Sequence, residues 1–214
     1  MPADPHADQP VIWRGPDLST ARLVVVLVHG RGASAESIFT LADQFEVPDV
    51  AYVAPEAADH TWYPYSFLAP MEQNEPKLSS ALQRLDGVVD DVMRRGMPSN
   101  RIALVGFSQG ACLALEFAAR HAQRYAAIAG LSGGLIGPPG TPRDYAGSLA
   151  QTPLFLGCSD VDAHVPVERV RESAIVFKRL GAAVDERIYP GMGHTVNRDE
   201  LDAVHAMLVH TRAM

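Results

Sequence analysis

The chain has 214 residues, of which 47% are hydrophobic and 20% charged. These proportions exclude a disordered or fibrous protein and suffice for a sizeable core. The formal net charge of −7 argues against nucleic acid as a partner, because phosphate binding requires a basic surface. The longest aliphatic run, Leu23 to Val28, is far shorter than the roughly 20 residues of a membrane-spanning helix.

The first part of the chain predicts a tail, two strands and a helix. Residues 1–10 show no hydrophobic periodicity, and we expect a flexible tail before a single domain over residues 11–214. Val11 to Trp13 fits a short edge strand. The β-branched run over residues 22–28 is typical of a strand buried on both faces. Ser34 can cap a helix that continues to about residue 45.

A long irregular segment over residues 55–77 follows a short strand at residues 50–53. Connections of more than about 15 residues without regular structure are usually functional when ordered. Aromatic and aliphatic side chains are dense in this segment, and ligand sites are mostly apolar. We therefore expect it to line a substrate pocket, although packing over the sheet edge is the alternative. The predicted substrate-binding residues are Trp62, Tyr63, Phe67 and Leu68.

Strands and helices alternate along the rest of the chain. The predicted helices cover residues 79–95, 110–121, 167–180 and 198–210, and the predicted strands cover residues 101–105, 126–131, 153–158 and 184–189. This alternation predicts an α/β fold with a mainly parallel central sheet and helices on both faces. In such sheets ligands bind at the carboxyl ends of the strands.

The turn Gly106-Phe107-Ser108-Gln109-Gly110 matches the G-x-S-x-G nucleophile elbow. In this turn the serine adopts a strained conformation between a strand and a helix, and side chains at the glycines would collide with neighbouring backbone. The required strand precedes the turn and the required helix follows it. We therefore expect Ser108 to be a catalytic nucleophile.

A serine hydroxyl is a weak nucleophile near neutral pH and needs a base that removes its proton. His194 follows the last predicted strand in a glycine-rich loop that can direct an imidazole toward the elbow. His205 and His210 lie within a predicted helix, where a solvated histidine is more common. We expect His194 to be the base.

The group that orients the base should follow the strand between elbow and base, where two aspartates compete. Asp162 lies deeper in that loop, just before a helix that can start at Pro166. Asp160 is better suited to brace the turn through its own backbone. We favour Asp162, and the order Ser108, Asp162, His194 is that of α/β-hydrolases.

Acyl transfer also places negative charge on the carbonyl oxygen, which backbone N–H groups can stabilise. One predicted donor is the N–H of Gln109, directly after the nucleophile. The other is the N–H of Arg31, because flanking glycines in His29-Gly30-Arg31-Gly32 permit close approach of that loop. For His29 itself we expect a structural hydrogen bond within the loop.

Four segments together resemble the phospholipase/carboxylesterase family of α/β-hydrolases, which includes acyl-protein thioesterases. They are residues 28–32, 106–111, 160–166 and 191–194, and they occur in the family's order and spacing. The resemblance implies the α/β-hydrolase fold without a large cap domain, a triad of Ser108, Asp162 and His194, and oxyanion donors at Arg31 and Gln109. It also implies that the protein uses no metal or organic cofactor.

The predicted function is hydrolysis of small or medium apolar carboxylic esters through an acyl-enzyme. A thioesterase or lysophospholipase is the alternative within the same chemistry, and a non-catalytic binding module on the same fold is the alternative outside it. The expected partner is a small-molecule ester, and a homodimer is left open. Cys112 and Cys158 lie in apolar segments and no secretion signal precedes residue 10, so we expect reduced thiols and a cytoplasmic protein.

Overall fold

A computed structural model describes residues 4–211 and contains one seven-stranded sheet. The strands are β1 (Val11–Arg14), β2 (Leu23–Val28), β3 (Val50–Pro55), β4 (Ile102–Phe107), β5 (Ala127–Leu131), β6 (Pro153–Ser159) and β7 (Ala183–Tyr189). Their order in the sheet is β1-β3-β2-β4-β5-β6-β7. Edge strand β1 is antiparallel to β3, and every other pair is parallel. The predicted mainly parallel sheet is confirmed.

Five α-helices cover the two faces of this sheet in the described part of the chain. They are α1 (Ala35–Ala42), α2 (Lys77–Arg94), α3 (Gln109–Arg120), α4 (Val167–Arg179) and α5 (Arg198–His210). Helices α1 and α5 pack on one face, and α2, α3 and α4 pack on the other. Alternate residues of β2 belong to the two resulting cores, and all six are buried. This burial explains the uninterrupted aliphatic run of β2.

The caps of two helices follow from their sequences. Ser34 Oγ accepts a hydrogen bond from the N–H of Ser37 at the start of α1, and Ser37 Oγ accepts one from the N–H of Ser34. Asn197 and Glu200 form the same reciprocal pair at the start of α5. Such a pair satisfies two backbone donors that a helix otherwise leaves free. None of the helices described over residues 4–211 combines the length and hydropathy needed to cross a membrane.

The expectation of a flexible tail over residues 1–10 is wrong for residues 4–10, while residues 1–3 lie outside the described structure. His6 is fully buried, and its backbone N–H donates to Ser80 Oγ on α2 at 2.9 Å. Arg84 on the same helix donates to the carbonyl of Ala7 at 3.2 Å and to that of Gln9. Polar contacts therefore hold residues 4–10 against α2. Such contacts leave no hydrophobic periodicity in the sequence, which is why a flexible tail was expected.

The segment between β3 and α2 contains two short 3₁₀ turns, Ala58–His60 and Met71–Asn74, and otherwise irregular backbone. Polar side chains order it from within. Asn74 is buried and accepts a hydrogen bond from the N–H of Tyr65 while donating to the carbonyl of Ser66. The segment lies at the carboxyl ends of the strands, because it leaves β3 there.

Candidate active site

Ser108 lies between β4 and α3 with φ 56° and ψ −123°, a conformation that a non-glycine residue rarely adopts. A Cβ at Gly106 would lie 2.4 Å from the carbonyl oxygen of Gly110, and one at Gly110 would lie 2.1 Å from that of Val28. Both distances are far below van der Waals contact. The two glycines therefore let strand and helix approach closely enough to hold the serine in its strained turn.

The structure brings Ser108, His194 and Asp162 together in a continuous hydrogen-bonded line. His194 Nε2 is 2.9 Å from Ser108 Oγ, and His194 Nδ1 is 2.7 Å from Asp162 Oδ2. A carboxylate accepts hydrogen bonds, so the proton of the neutral imidazole belongs on Nδ1 and Nε2 is free to accept from the hydroxyl. This arrangement suits proton removal from Ser108.

The buried carboxylate of Asp162 is held in its charged form by three donors. The backbone N–H groups of His164 and Val165 donate to Oδ1 at 2.8 and 3.0 Å, while His194 donates to Oδ2. Burial by itself would raise the pKa of this carboxyl, but the hydrogen bonds outweigh it and the pKa lies below its usual value. Asp162 thus remains an anion beside the imidazole.

Ser159 and Asp160, which precede Asp162, connect the loop after β6 to the loop after β7 that carries His194. Ser159 Oγ accepts from the N–H of Gly193 at 3.1 Å, and Asp160 Oδ1 accepts from the N–H of Gly191 at 2.8 Å. Asp160 was expected to brace its own turn, and that expectation is wrong because its acceptor is used by the neighbouring loop. Both contacts bring the backbone on either side of Met192 toward Asp162.

The predicted oxyanion donors lie on adjacent strands. The carboxyl ends of β2 and β4 are in register, with Val28 opposite Gly106, so the loop after β2 meets the elbow. A Cβ at Gly30 would lie 3.4 Å from Ser108 Cβ, which shows how near the two loops are. Within residues 4–211, the N–H groups of Arg31 and Gln109 have no internal hydrogen-bond acceptor. Both donors are available to a bound oxygen.

The side chains of the same two residues fasten the irregular segment to the site. The Arg31 guanidinium donates to the carbonyls of Pro64 and Tyr65 at 2.8 and 2.7 Å. Gln109 Oε1 accepts from the N–H of Trp62 at 3.0 Å, and Gln109 Nε2 donates to the carbonyl of Tyr63 at 2.8 Å. The loop after β2 and the elbow therefore both hold residues 62–65.

A cleft of about 500 Å³ opens beside Ser108 and His194. Its walls are largely aromatic and aliphatic, with Tyr63, Tyr65, Phe67, Phe107, Cys112 and Val165 among the lining residues. Burial raises the pKa of the Cys112 thiol to about 12, so this cysteine is a neutral apolar contact. The cleft suits an apolar group next to a reacting carbonyl.

Two of the four predicted substrate-binding residues do not line this cleft. Tyr63 and Phe67 do, but Trp62 and Leu68 are absent from its walls. Trp62 is fully buried in the core, where its indole N–H donates to the carbonyl of His29 at 2.8 Å. Leu68 packs against the core formed by α2, α3 and α4. An apolar cluster in a loop cannot by itself separate pocket walls from residues that anchor the loop.

Sequence reasoning missed the role of His164 at this site. Its ring lines the cleft and lies edge-on to His194, with ring centroids 4.7 Å apart. Phe107 approaches the same imidazole at 5.2 Å. His29 has the structural role expected of it, since its Nδ1 is 2.8 Å from the carbonyl oxygen of Gly30. Over residues 4–211, no three His, Cys, Asp or Glu side chains are arranged to hold a metal.

Residues 16–211 match the protein family described as Phospholipase/Carboxylesterase. The crystal structure of a phospholipase/carboxylesterase from Dyadobacter fermentans is 40% identical in sequence and superimposes with a TM-score of 0.91. That match covers 94% of this chain and 97% of the other. The similarity therefore extends over the sheet, the helices and the segments that build the cleft.

Two fungal proteins are also similar. The acyl-protein thioesterase 1 of Gibberella zeae is 35% identical over 119 residues, which are 53% of this chain and 49% of that protein. The alignment thus spans about half the length of that relative. The acyl-protein thioesterase 1 of Yarrowia lipolytica is 24% identical over 199 residues, covering 84% of this chain and 88% of that protein.

Proposed function

The chain belongs to the phospholipase/carboxylesterase family, with the α/β-hydrolase fold, and from this premise we propose that it is a serine carboxylesterase. The observation that carries the proposal is the line of hydrogen bonds from Ser108 through His194 to Asp162. Ester hydrolysis needs a nucleophile, a base and a group that orients the base. Ser108 and His194 line an apolar cleft, and Asp162 lies buried behind the imidazole of His194.

In the first half of the reaction, Ser108 Oγ attacks the ester carbonyl carbon while His194 Nε2 accepts the hydroxyl proton. The carbonyl oxygen becomes an oxyanion, and the N–H groups of Arg31 and Gln109 are the proposed donors to it. His194 then gives its proton to the leaving alkoxide. The alcohol departs, and the acyl group stays on Ser108 as an ester.

The second half repeats these steps with water. His194 removes a proton from a water molecule, whose oxygen attacks the acyl carbon, and the same two N–H groups hold the oxyanion. The proton then returns from His194 to Ser108 Oγ as the bond to the acyl carbon breaks. Asp162 stabilises the imidazolium in both halves and remains ionised throughout.

The preferred substrates are esters with a small or medium apolar group, because the cleft is about 500 Å³ and mainly apolar in its walls. A thioesterase is the second candidate. It is favoured by the 35% identity to an acyl-protein thioesterase, and its chemistry at Ser108 would be the same. Turnover of p-nitrophenyl butyrate compared with turnover of an S-acylated peptide separates the two.

The test of the proposal is Ser108→Ala assayed with p-nitrophenyl butyrate. Loss of the nucleophile should lower kcat at least about 10³-fold. The matched control is Ser79→Ala, which removes an exposed hydroxyl on α2 and should keep full activity. A folded Ser108→Ala protein that still turns over the ester would show that Ser108 is not the nucleophile, whereas a wild-type protein without turnover would favour the non-catalytic binding module.

A further inference from the structure

We propose that His6 is a positioning residue for the oxyanion donors and that it acts through Trp62. The inference rests on the proposed function, because the donors matter only if Ser108 attacks a carbonyl. No part of His6 lines the cleft. Its effect on the reaction must therefore pass through other residues, and the hydrogen bonds on both sides of Trp62 provide the route.

Both ring nitrogens of the buried His6 imidazole are engaged by the irregular segment. The N–H of Ala58 donates to His6 Nδ1 at 3.0 Å, so Nδ1 carries no proton. The ring proton is then on Nε2, which donates to the carbonyl of Trp62 at 3.0 Å. Burial lowers the pKa of His6, in keeping with this neutral tautomer.

Trp62 also bonds to the two loops that carry the proposed oxyanion donors, the loop after β2 and the elbow. Its backbone N–H donates to Gln109 Oε1 at 3.0 Å, and its indole N–H donates to the carbonyl of His29 at 2.8 Å. The indole ring is also close to two imidazoles, with centroid distances of 5.5 Å to His6 and 4.9 Å to His29. One residue thus connects both loops that supply the proposed donors.

The connection makes the placement of Trp62 a condition for the placement of both donors. Without the Nε2–H of His6, the buried carbonyl of Trp62 has no partner among residues 4–211. An unsatisfied buried carbonyl favours a shift of the backbone toward another donor. A shift of about 1 Å at catalytic hydrogen-bond donors lowers a rate substantially. We expect the loss to appear in kcat, because oxyanion donors act on the transition state.

Two substitutions separate positioning from simple anchoring of the N-terminal segment. In His6→Gln, the amide nitrogen can take the place of Nε2 and still donate to Trp62, while the acceptor for Ala58 is lost. In His6→Asn, the amide oxygen can take the place of Nδ1 and still accept from Ala58, while the donor to Trp62 is lost. Each variant removes one hydrogen bond, so their Tm values should fall by similar amounts.

The proposal predicts that His6→Asn lowers kcat for p-nitrophenyl butyrate about tenfold with KM within twofold, while His6→Gln keeps kcat within about threefold. His210→Asn is the control, because His210 is exposed and bonds only within its own helix in the described residues. It should leave kcat unchanged. Equal kcat values for the two His6 variants, or losses that track Tm alone, would overturn the proposal.

A measurement independent of catalysis tests the placement of Trp62 by His6 separately from the proposed esterase function. Hydrogen exchange of the Trp62 indole N–H, followed by NMR, reports on its bond to His29. We expect at least tenfold faster exchange in His6→Asn than in His6→Gln. If wild-type protein hydrolyses no ester but this difference persists, the function fails and the placement of Trp62 by His6 stands; equal exchange rates refute that placement.

Discussion

Asp162 illustrates how a single residue determines which nitrogen of a histidine carries the proton. Its Oδ2 accepts from His194 Nδ1, leaving Nε2 unprotonated toward Ser108. The anion persists because three donors surround it and its pKa is lowered. A neutral side chain of the same shape would keep the packing but change the direction of that hydrogen bond.

Asp162→Asn should therefore lower kcat/KM about 10³- to 10⁴-fold with little loss of folding. The asparagine oxygen can keep the bonds from His164 and Val165, which leaves the amide N–H₂ facing His194. The imidazole must then accept at Nδ1 and carry its proton on Nε2, where it cannot take another from Ser108. Steady-state hydrolysis of p-nitrophenyl butyrate at pH 8 measures the loss.

Asp160→Asn is the matched control for this prediction. Asparagine retains the oxygen that accepts from Gly191, so kcat/KM should stay within about threefold of the wild-type value. A larger loss of kcat/KM in Asp160→Asn than in Asp162→Asn would show that Asp160, and not Asp162, orients the imidazole.

Residue-level chemistry was the most predictable part of the site. Ser108, Asp162 and His194 could be brought together from sequence because each follows a strand and because the elbow requires particular glycines. The contacts of Ser159 and Asp160 could not, since a short polar side chain carries no sign of which loop it will bond. The same is true of His6, because nothing in the sequence indicates that its imidazole is buried or which groups it bonds to.

At the scale of elements, the segment between β3 and α2 is ordered by hydrogen bonds from outside it as well as by those of Asn74 within it. Arg31 donates to two of its carbonyls, and the Gln109 side chain bonds to three further residues of it. The N–H of Gly137 donates to the carbonyl of Phe67 at 2.7 Å. The segment forms one wall of the cleft. Its irregular backbone thus depends on side chains of the site that it covers.

Arg31→Met should raise KM about three- to tenfold while changing kcat less than threefold. Methionine keeps the backbone N–H proposed to hold the oxyanion but loses both side-chain donors to Pro64 and Tyr65. The cleft wall becomes less ordered, so ground-state binding weakens before the transition state is affected. Initial rates over a range of p-nitrophenyl butyrate concentrations give the two constants.

Arg22→Met serves as the comparison, because Arg22 also donates to backbone carbonyls but lies at the opposite ends of the strands. It should leave KM unchanged. A fall in kcat with constant KM in Arg31→Met would instead indicate that the guanidinium acts in the chemical step.

The elements themselves were predicted well where hydrophobic periodicity was strong. Strand β2 and helix α5 begin or end within one residue of their expected bounds, because burial on two faces or on one face leaves a clear pattern. Helix α2 begins at Lys77 rather than Ser79, so its first turn also includes the buried Leu78. The irregular segment was located correctly, but its pocket-lining residues depended on long-range bonds.

At the scale of the whole molecule, Glu200 links folding stability to pH. Its side chain is fully buried in the first turn of α5, and Oε1 has no hydrogen-bond partner within residues 4–211. Burial raises its pKa from the usual 4.5 to about 7. The folded state therefore holds this proton more tightly than the unfolded state does.

The sign of the resulting pH effect follows from proton binding. Between about pH 4.5 and 7, the folded state binds more protons at Glu200, so this group's contribution to stability is lost as pH rises. Glu200→Gln mimics the protonated acid at every pH. It should match wild type near pH 4.5 and exceed its free energy of unfolding by roughly 3 kcal/mol at pH 8.

Urea unfolding of both proteins at pH 5 and pH 8 measures this difference. Glu168→Gln, which removes an exposed acid from the first turn of α4, is the control and should not gain stability at pH 8. If the free energies of unfolding of wild type and Glu200→Gln change equally between pH 5 and pH 8, burial does not raise the pKa of Glu200 in the folded protein.

The most direct test of the account is labelling by a fluorophosphonate, because it reports on a serine activated by a neighbouring base. Digestion and mass spectrometry should find the adduct on Ser108 in the wild-type protein, with labelling at least about 10²-fold slower in His194→Ala. An adduct on another residue, or labelling of Ser108 that is unaffected by loss of His194, would contradict the assignment of this site.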